Sequence, residues 1–263
     1  MNIAILITTY NNEENITCRE FNSTVMYEDI ITWWINETPY TIFLTNSGGT
    51  KFNDYIEKNA YTYHFSQDNV QNPDKLSYAD HNLKSFYECL SVNKCFKYYE
   101  EKLLKFDMIF KLTGKYKFDL EKILPTNISN YDFVRLNNKV RDKINNTETS
   151  SYWVPTELIG FKPKFLLDKF YKSNKTGKII EIDTFDYIYK QGIKYKIYIL
   201  PTIKNLANWK KNENVGVLHE LYENTNTNTN YKYLKNIYNY NEKFSTEFQR
   251  ILLFKSYFQY DLN

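Results

Sequence analysis

Residues 3–7, Ile-Ala-Ile-Leu-Ile, form an apolar run that no polar residue interrupts; Thr8, Thr9 and Tyr10 come next, and Asn11 and Asn12 close it. An alternating strand can leave one face to water. A continuous apolar run has two faces to hide, the pattern of a central strand in a mostly parallel sheet covered on both sides. The next segments of the chain fit a sheet of that kind. "STVMYEDIITWWINETP" reads as a helix with Ser23 as cap, Pro39 as stop, and Val25, Ile30, Trp33 and Trp34 near helical spacing. "YTIFLTNSGG" is a second strand running into a Gly-rich turn, and "AYTYHFSQD" a third and weaker one. Residues 81–106 predict one long helix, with Leu83, Phe86, Leu90, Cys95, Tyr98 and Leu103 as its apolar face. "DMIFKLTG" is then the fourth strand and "YDFVRLNN" the fifth. Strand and helix alternate through the first 138 residues, which predicts an α/β domain with a mostly parallel central sheet flanked by helices.

The second half is less regular. It predicts a short strand near Leu158–Phe161, a helix after Pro163, a helix opening on acidic residues near 181, a Gly turn at Gly192 and a strand over Lys194–Leu200 stopped by Pro201. "ENTNTNTNYKY" is a low-complexity loop, and "FSTEFQRILLFKSYF" a last helix capped by Ser245. The expected division is a main domain over 1–205, with halves meeting near 138, and a C-terminal extension over 206–263 that packs on it.

Charge and cysteine usage exclude several function classes. A formal net charge of +3 is small for a protein that wraps a phosphate backbone, and no block of five basic residues occurs, so no nucleic-acid partner is expected. The three cysteines, Cys18, Cys89 and Cys95, form no CxxC pair, so neither a zinc site nor a disulfide framework is indicated. That usage fits a reducing, cytoplasmic compartment. No window approaches 18 apolar residues, so no membrane span is expected. "GGTK" at 48–51 lacks P-loop spacing, and no His-Glu-x-x-His element is present.

In mostly parallel α/β sheets ligands sit outside the C-terminal ends of the strands. Those ends here are Thr8–Asn12, Asn46–Gly49, Ser66–Asp68 and Thr113–Tyr116. The fourth is unusual: Lys111, Thr113, Gly114 and Lys115 crowd one strand end, so cationic and hydroxyl donors gather beside a glycine that permits close backbone approach.

The segments "TTYNN", "FLTNSGG", "ELIGFKPKFLLDKF" and "EIDTFDYIYKQGIKYKIYIL" follow one another in an order that resembles family 2 and related GT-A glycosyltransferases. "TTYNN" looks like the end of that fold's first nucleotide-binding strand, and "FLTNSGG" like its second, with Asn46 where an Asp commonly contacts the base. "ELIGFKPKFLLDKF" followed by "EIDTFDYIYKQGIKYKIYIL" is similar to the strand, helix and acidic segment that carry the family's catalytic base. "IFKLTGKY" followed by "TELIGF" also looks like sugar transferases of bacteria and large DNA viruses. If the origin is viral, the compartment is the host cytoplasm. The resemblance spans roughly residues 3–200 and implies a nucleotide-sugar donor and a glycan acceptor. It implies Asp183 or Glu181 as base, with Glu157 a third candidate. Asp183 and Glu181 could equally serve only to complement a helix N-terminus. Thr8, Tyr10, Asn11, Asn46 and Ser47 would hold the donor's nucleoside, and Lys111, Thr113, Gly114 and Lys115 its diphosphate. Tyr152 and Trp153 could form an acceptor-stacking platform or anchor a loop.

The sequence departs from the family at one place. The Asp-x-Asp that holds a divalent metal near the end of the fourth strand is replaced by Lys111-Leu-Thr-Gly-Lys115. Cationic side chains and backbone N–H groups can also neutralise a departing diphosphate. The expectation is therefore a site with no required metal, manganese or magnesium being the alternative. A non-catalytic glycan- or nucleotide-binding protein on a degenerate version of the fold is the second reading, and a nucleotidyltransferase the third.

Overall fold

A computed structural model describes residues 2–10, 23–70, 81–121, 124–136, 139–142, 147–150, 156–167, 180, 184, 187–188, 195–200, 202–203, 218–219 and 221–222. The expected low-complexity loop and C-terminal helix lie outside them.

Seven strands form one sheet: β1 (Ile3–Thr9), β2 (Thr41–Asn46), β3 (Tyr61–His64), β4 (Met108–Thr113), β5 (Phe133–Arg135), β6 (Leu158–Phe161) and β7 (Ile197–Ile199). Their order is β7-β5-β6-β4-β1-β2-β3. β1 lies parallel between β2 and β4, β3 is parallel to β2, and β7 is parallel to β5. β6 alone is reversed, antiparallel to both β4 and β5. The seven residues of β1 are all buried, as an uninterrupted apolar run demands of a central strand.

Two apolar layers cover the sheet. On one face Ile5, Ile7, Phe110 and Leu112 pack against α1 (Ser23–Glu37). Tyr27, Ile30, Ile31 and Trp34 form its buried stripe at i, i+3, i+4, i+7. Trp34 is fully buried and its indole N–H donates to the Tyr116 carbonyl at 3.0 Å, which satisfies the polar end of the ring. On the other face Ala4, Leu6, Ile109 and Ile159 meet α3 (His81–Tyr98).

Three expectations change. A helix over Asp54–Asn59, α2, stands between β2 and β3 and is capped by the Asn53 side chain on the Ile56 N–H. The long helix ends at Tyr98, and α4 (Glu100–Leu103) comes after it. Tyr99, at φ −111° and ψ 22°, leaves helical geometry between them. Its hydroxyl donates to the Thr62 carbonyl of β3 at 2.5 Å, and its ring packs edge-on against Phe43. Tertiary contacts thus break a helix that contains neither Gly nor Pro at this point. The buried face of α3 is also rotated from the expected one. Cys89, Val92, Cys95 and Phe96 meet the sheet, while Tyr98 is 65% exposed. Residues near 180–188 are helical at the described positions Ile180, Thr184, Tyr187 and Ile188, and Ile180 and Ile188 join the α3 layer.

The cysteines of α3 belong to the core. Burial pushes the Cys95 thiol up to about 12, against a smaller lowering from the neighbouring Thr45. Cys89 is 3% exposed. In a Cys18→Ser variant, neither thiol is expected to react with a disulfide reagent at pH 8 until denaturant is added. Fast labelling of the native variant would contradict this packing.

Candidate functional site

The C-terminal ends of β1, β2, β3 and β4 share one edge of the sheet, and backbone bonds lace the loops that leave them. Gly114 N–H donates to Thr8 O at 2.9 Å, Ser47 N–H to Thr9 O at 3.0 Å and Gln67 N–H to Ser47 O at 2.8 Å. Because β6 is reversed, its N-terminal end reaches the same rim. Thr113 N–H donates to Glu157 O at 3.2 Å, which places Glu157 beside the end of β4. Register sets Thr45, Thr8 and Thr113 side by side across β2, β1 and β4. Glu157 continues this row, on the face that α3 covers.

Lys111 lies one layer inward on that face, in register with Leu6 and Ile159. It is fully buried. Its ammonium is hydrogen-bonded and ion-paired to Glu88 of α3 and donates to the Thr156 carbonyl at 2.7 Å. Glu88 continues the sheet-facing stripe of α3 at helical spacing to Ser85, Val92 and Cys95. Burying an ion pair is costly, and this one is retained because additional hydrogen bonding and partial exposure of Glu88 offset its desolvation.

Glu157 is half-buried, and its Oε2 is buried without a hydrogen-bond partner among the described protein groups. The neighbouring Thr113 Oγ1 is in the same condition. Two such atoms on neighbouring strands at the C-terminal rim call for an explanation, since buried polar groups are almost always paired. Burial raises the Glu157 carboxyl above its ordinary range, and the Glu88 charge adds to that. The backbone N–H of Glu157 and the Lys111 ammonium pull it back. The arrangement can hold a carboxylate that readily takes a proton, with a hydroxyl beside it.

The other sequence-expected residues divide. Thr8 is buried on the rim, and its hydroxyl lies 3.5 Å from Leu112 O. Tyr10 is half-buried and shares an electrostatic neighbourhood with Asp68 and Tyr87. Burial first, then Asp68 and Tyr10, push the Tyr87 phenol up. Ser47 ties the β1 and β2 ends together, its hydroxyl donating to Thr9 O at 3.2 Å. Asn46 is fully buried and organises its own loop: its amide donates to Thr50 O at 2.8 Å, and its carbonyl accepts from Gly48 N–H at 3.1 Å. Gly114 is explained by packing without any ligand, since a Cβ there would sit 2.5 Å from Thr9 Cγ2 and 3.0 Å from Tyr27. Lys115 is half-buried at the rim. Lys111, expected beside a diphosphate, has its ammonium enclosed by protein against Glu88 and the Thr156 carbonyl. Asn11, Tyr152, Trp153, Glu181 and Asp183 lie outside the described residues. Glu88 and Tyr87 are not singled out by the sequence; the available signal is a carboxylate, Glu88, within the apolar stripe of α3.

Residues 111–115 offer an enclosed ammonium, a hydroxyl and a second lysine, and no carboxylate. Among the described residues no group of three or more His, Cys, Asp or Glu side chains gathers as ligands, and no helix is long and apolar enough to cross a membrane.

A mostly parallel seven-stranded α/β sheet with one reversed strand and a polar C-terminal rim is a GT-A-like, Rossmann-like architecture. No protein-family model matches the chain, and no curated protein matches it. Among solved structures the chain is similar to a glycosyltransferase involved in glycosylation of the major capsid of PBCV-1, at 10% identity and TM-score 0.40, covering 76% of this chain and 81% of that one. A structure from Desulfovibrio desulfuricans G20 described as a nucleotide-diphospho-sugar transferase is similar at 10% identity and TM-score 0.40, covering 77% and 81%. CMP:2-keto-3-deoxy-manno-octonic acid synthetase complexed with CTP is similar at 6% identity and TM-score 0.41, covering 76% and 90%. Similarity at this level carries nothing about chemistry, and the fold is defined by strand order and register.

Proposed function

We propose that this chain transfers a sugar from a nucleotide-diphosphate sugar to a hydroxyl of a glycan acceptor, with Glu157 as the base. The observation that carries the reading is the buried Oε2 of Glu157, without a hydrogen-bond partner among the described residues, at the rim where ligands of such sheets bind. The acceptor hydroxyl gives its proton to the Glu157 carboxylate as its oxygen bonds to the sugar's anomeric carbon. The bond from that carbon to the diphosphate oxygen breaks, and the nucleoside diphosphate departs with the electron pair. A carboxyl raised above its ordinary range is a better proton acceptor near neutral pH than an unperturbed one. Lys115 and rim backbone N–H groups would meet the charge on the leaving diphosphate, a role that needs no metal. Thr8, Tyr10, Asn11 and Ser47 would hold the nucleoside, Thr113 would donate to a phosphate or sugar oxygen, and Tyr152 and Trp153 would carry the acceptor. Asp183 and Glu181 are the alternative bases. The transferase domain would span 1–205, with 206–263 packed against it.

The test is a panel of nucleotide sugars scored by thermal shift, each with manganese and with EDTA. At least one donor is expected to raise the melting temperature with EDTA present. No shift with any donor overturns the transferase reading, and a shift lost to EDTA removes the metal-independent part alone. A shift without transfer to any glycan would favour the binding-protein reading, which the missing Asp-x-Asp supports.

A further inference from the structure

Lys111 stands among the donor ligands expected from the sequence, yet it is the most enclosed charge at the rim, and what it touches suggests a different task. Its ammonium joins three pieces of the fold: β4, which carries it; α3, through Glu88; and the peptide just before β6, through the Thr156 carbonyl at 2.7 Å. Thr156 is itself buried, and the next residue is Glu157. We propose that Lys111 is a positioning residue that acts through Glu157: by anchoring the Thr156 carbonyl with Glu88 as counter-ion, it fixes the Glu157 carboxylate at the rim. This rests on the reading of Glu157 as the base, but its structural content is separable from sugar transfer.

Each element packed around Glu157 contributes a charged group. β4 supplies Lys111, whose charge favours the ionised carboxylate, and α3 supplies Glu88, whose charge opposes it. β5 supplies Arg135, buried one row further along, where one guanidinium nitrogen donates to the Leu136 carbonyl at 3.0 Å. Removing Lys111 and removing Glu88 should therefore act on Glu157 in opposite senses. An ion pair too remote to act on Glu157 would not do this: either variant would lower stability and leave Glu157 titrating as before.

The experiment is a carboxyl carbon NMR titration of full-length protein labelled at glutamate, the Glu157 signal being identified by its loss in Glu157→Gln. Lys111→Met is expected to move the Glu157 midpoint to higher pH, and Glu88→Gln to move it to lower pH. Unchanged midpoints, or shifts in the same direction, overturn the proposal. If Lys111→Met does not fold, Glu88→Gln decides alone, since Glu88 is partly exposed and tolerates a neutral isostere. Once a donor is found, the acid limb of kcat/KM is expected to move in the same two senses. Donor KM should change by less than about threefold in either variant, whereas loss of a phosphate ligand would raise it more than about tenfold. A donor KM raised tenfold by Lys111→Met, with the midpoint unmoved, would return Lys111 to the donor site. Opposite midpoint shifts without any sugar transfer would leave the positioning role standing and remove the transferase reading.

Discussion

Glu157→Gln is expected to lower sugar transfer by roughly 10²–10⁴-fold while raising the melting temperature at neutral pH. The two effects have one cause. Folding takes the carboxyl out of water, so its folded-state pKa is raised. The folded chain then holds this proton more tightly than the unfolded chain. Stability falls as pH rises from the unfolded glutamate value, about 4.3, through the raised folded value, and stays lower above it. Glutamine cannot ionise and escapes that loss. Melting temperatures of the two proteins should therefore converge below about pH 4 and separate above it, with the variant the more stable. Wild-type turnover in Glu157→Gln would transfer the role of base to Asp183 or Glu181. A variant less stable than wild type at pH 8 would mean that the carboxylate has a favourable partner in the folded state. The combination of lost activity and gained stability is what distinguishes a functional carboxylate from a packing one.

The strands that frame this rim are legible in the sequence. β1 and β4 announce themselves because a strand buried on both faces opens on an apolar run, Ile3–Ile7 in one and Met108–Phe110 in the other, and their order along the chain puts Thr8 and Thr113 on one rim. Glu157 can be named from sequence but not understood. Its environment depends on β6 entering the sheet reversed between β4 and β5, a choice of pairing partner that no local pattern encodes. The enclosure of Lys111 is not legible for a related reason. A lysine at a strand end usually reaches water, and only contact with Glu88, 23 residues earlier in the chain, gives its ammonium a place inside. Asn46 likewise looks ligand-facing, but the loop it organises is a product of the Gly48–Thr50 turn and not of the strand.

The joint between β4 and β6 that delivers Glu157 is also where the largest stability effects are expected. Phe110 is fully buried and stands in register opposite Gly160. A Cβ on Gly160 would lie 2.6 Å from Phe110 Cε1 and 3.0 Å from two further ring atoms, so the ring occupies the space a side chain would take. Phe110→Ala is expected to cost about 3–5 kcal/mol by leaving a cavity between the sheet and α1. Gly160→Ala is expected to cost about 1–3 kcal/mol by overpacking. In the double variant the new methyl enters space the ring has vacated, so the costs should fall short of their sum by about 1–2 kcal/mol in urea denaturation. Strict additivity would mean that the two residues do not compete for the same volume. Gly160→Ala should also reduce kcat, because displacing β6 from β4 moves Glu157, three residues upstream, off the rim. Ile56→Val, buried in α2 away from this joint, should lose about 1 kcal/mol with kcat unchanged. Equal loss of activity in both would show that kcat follows global stability; loss in Gly160→Ala alone ties it to the seating of β6.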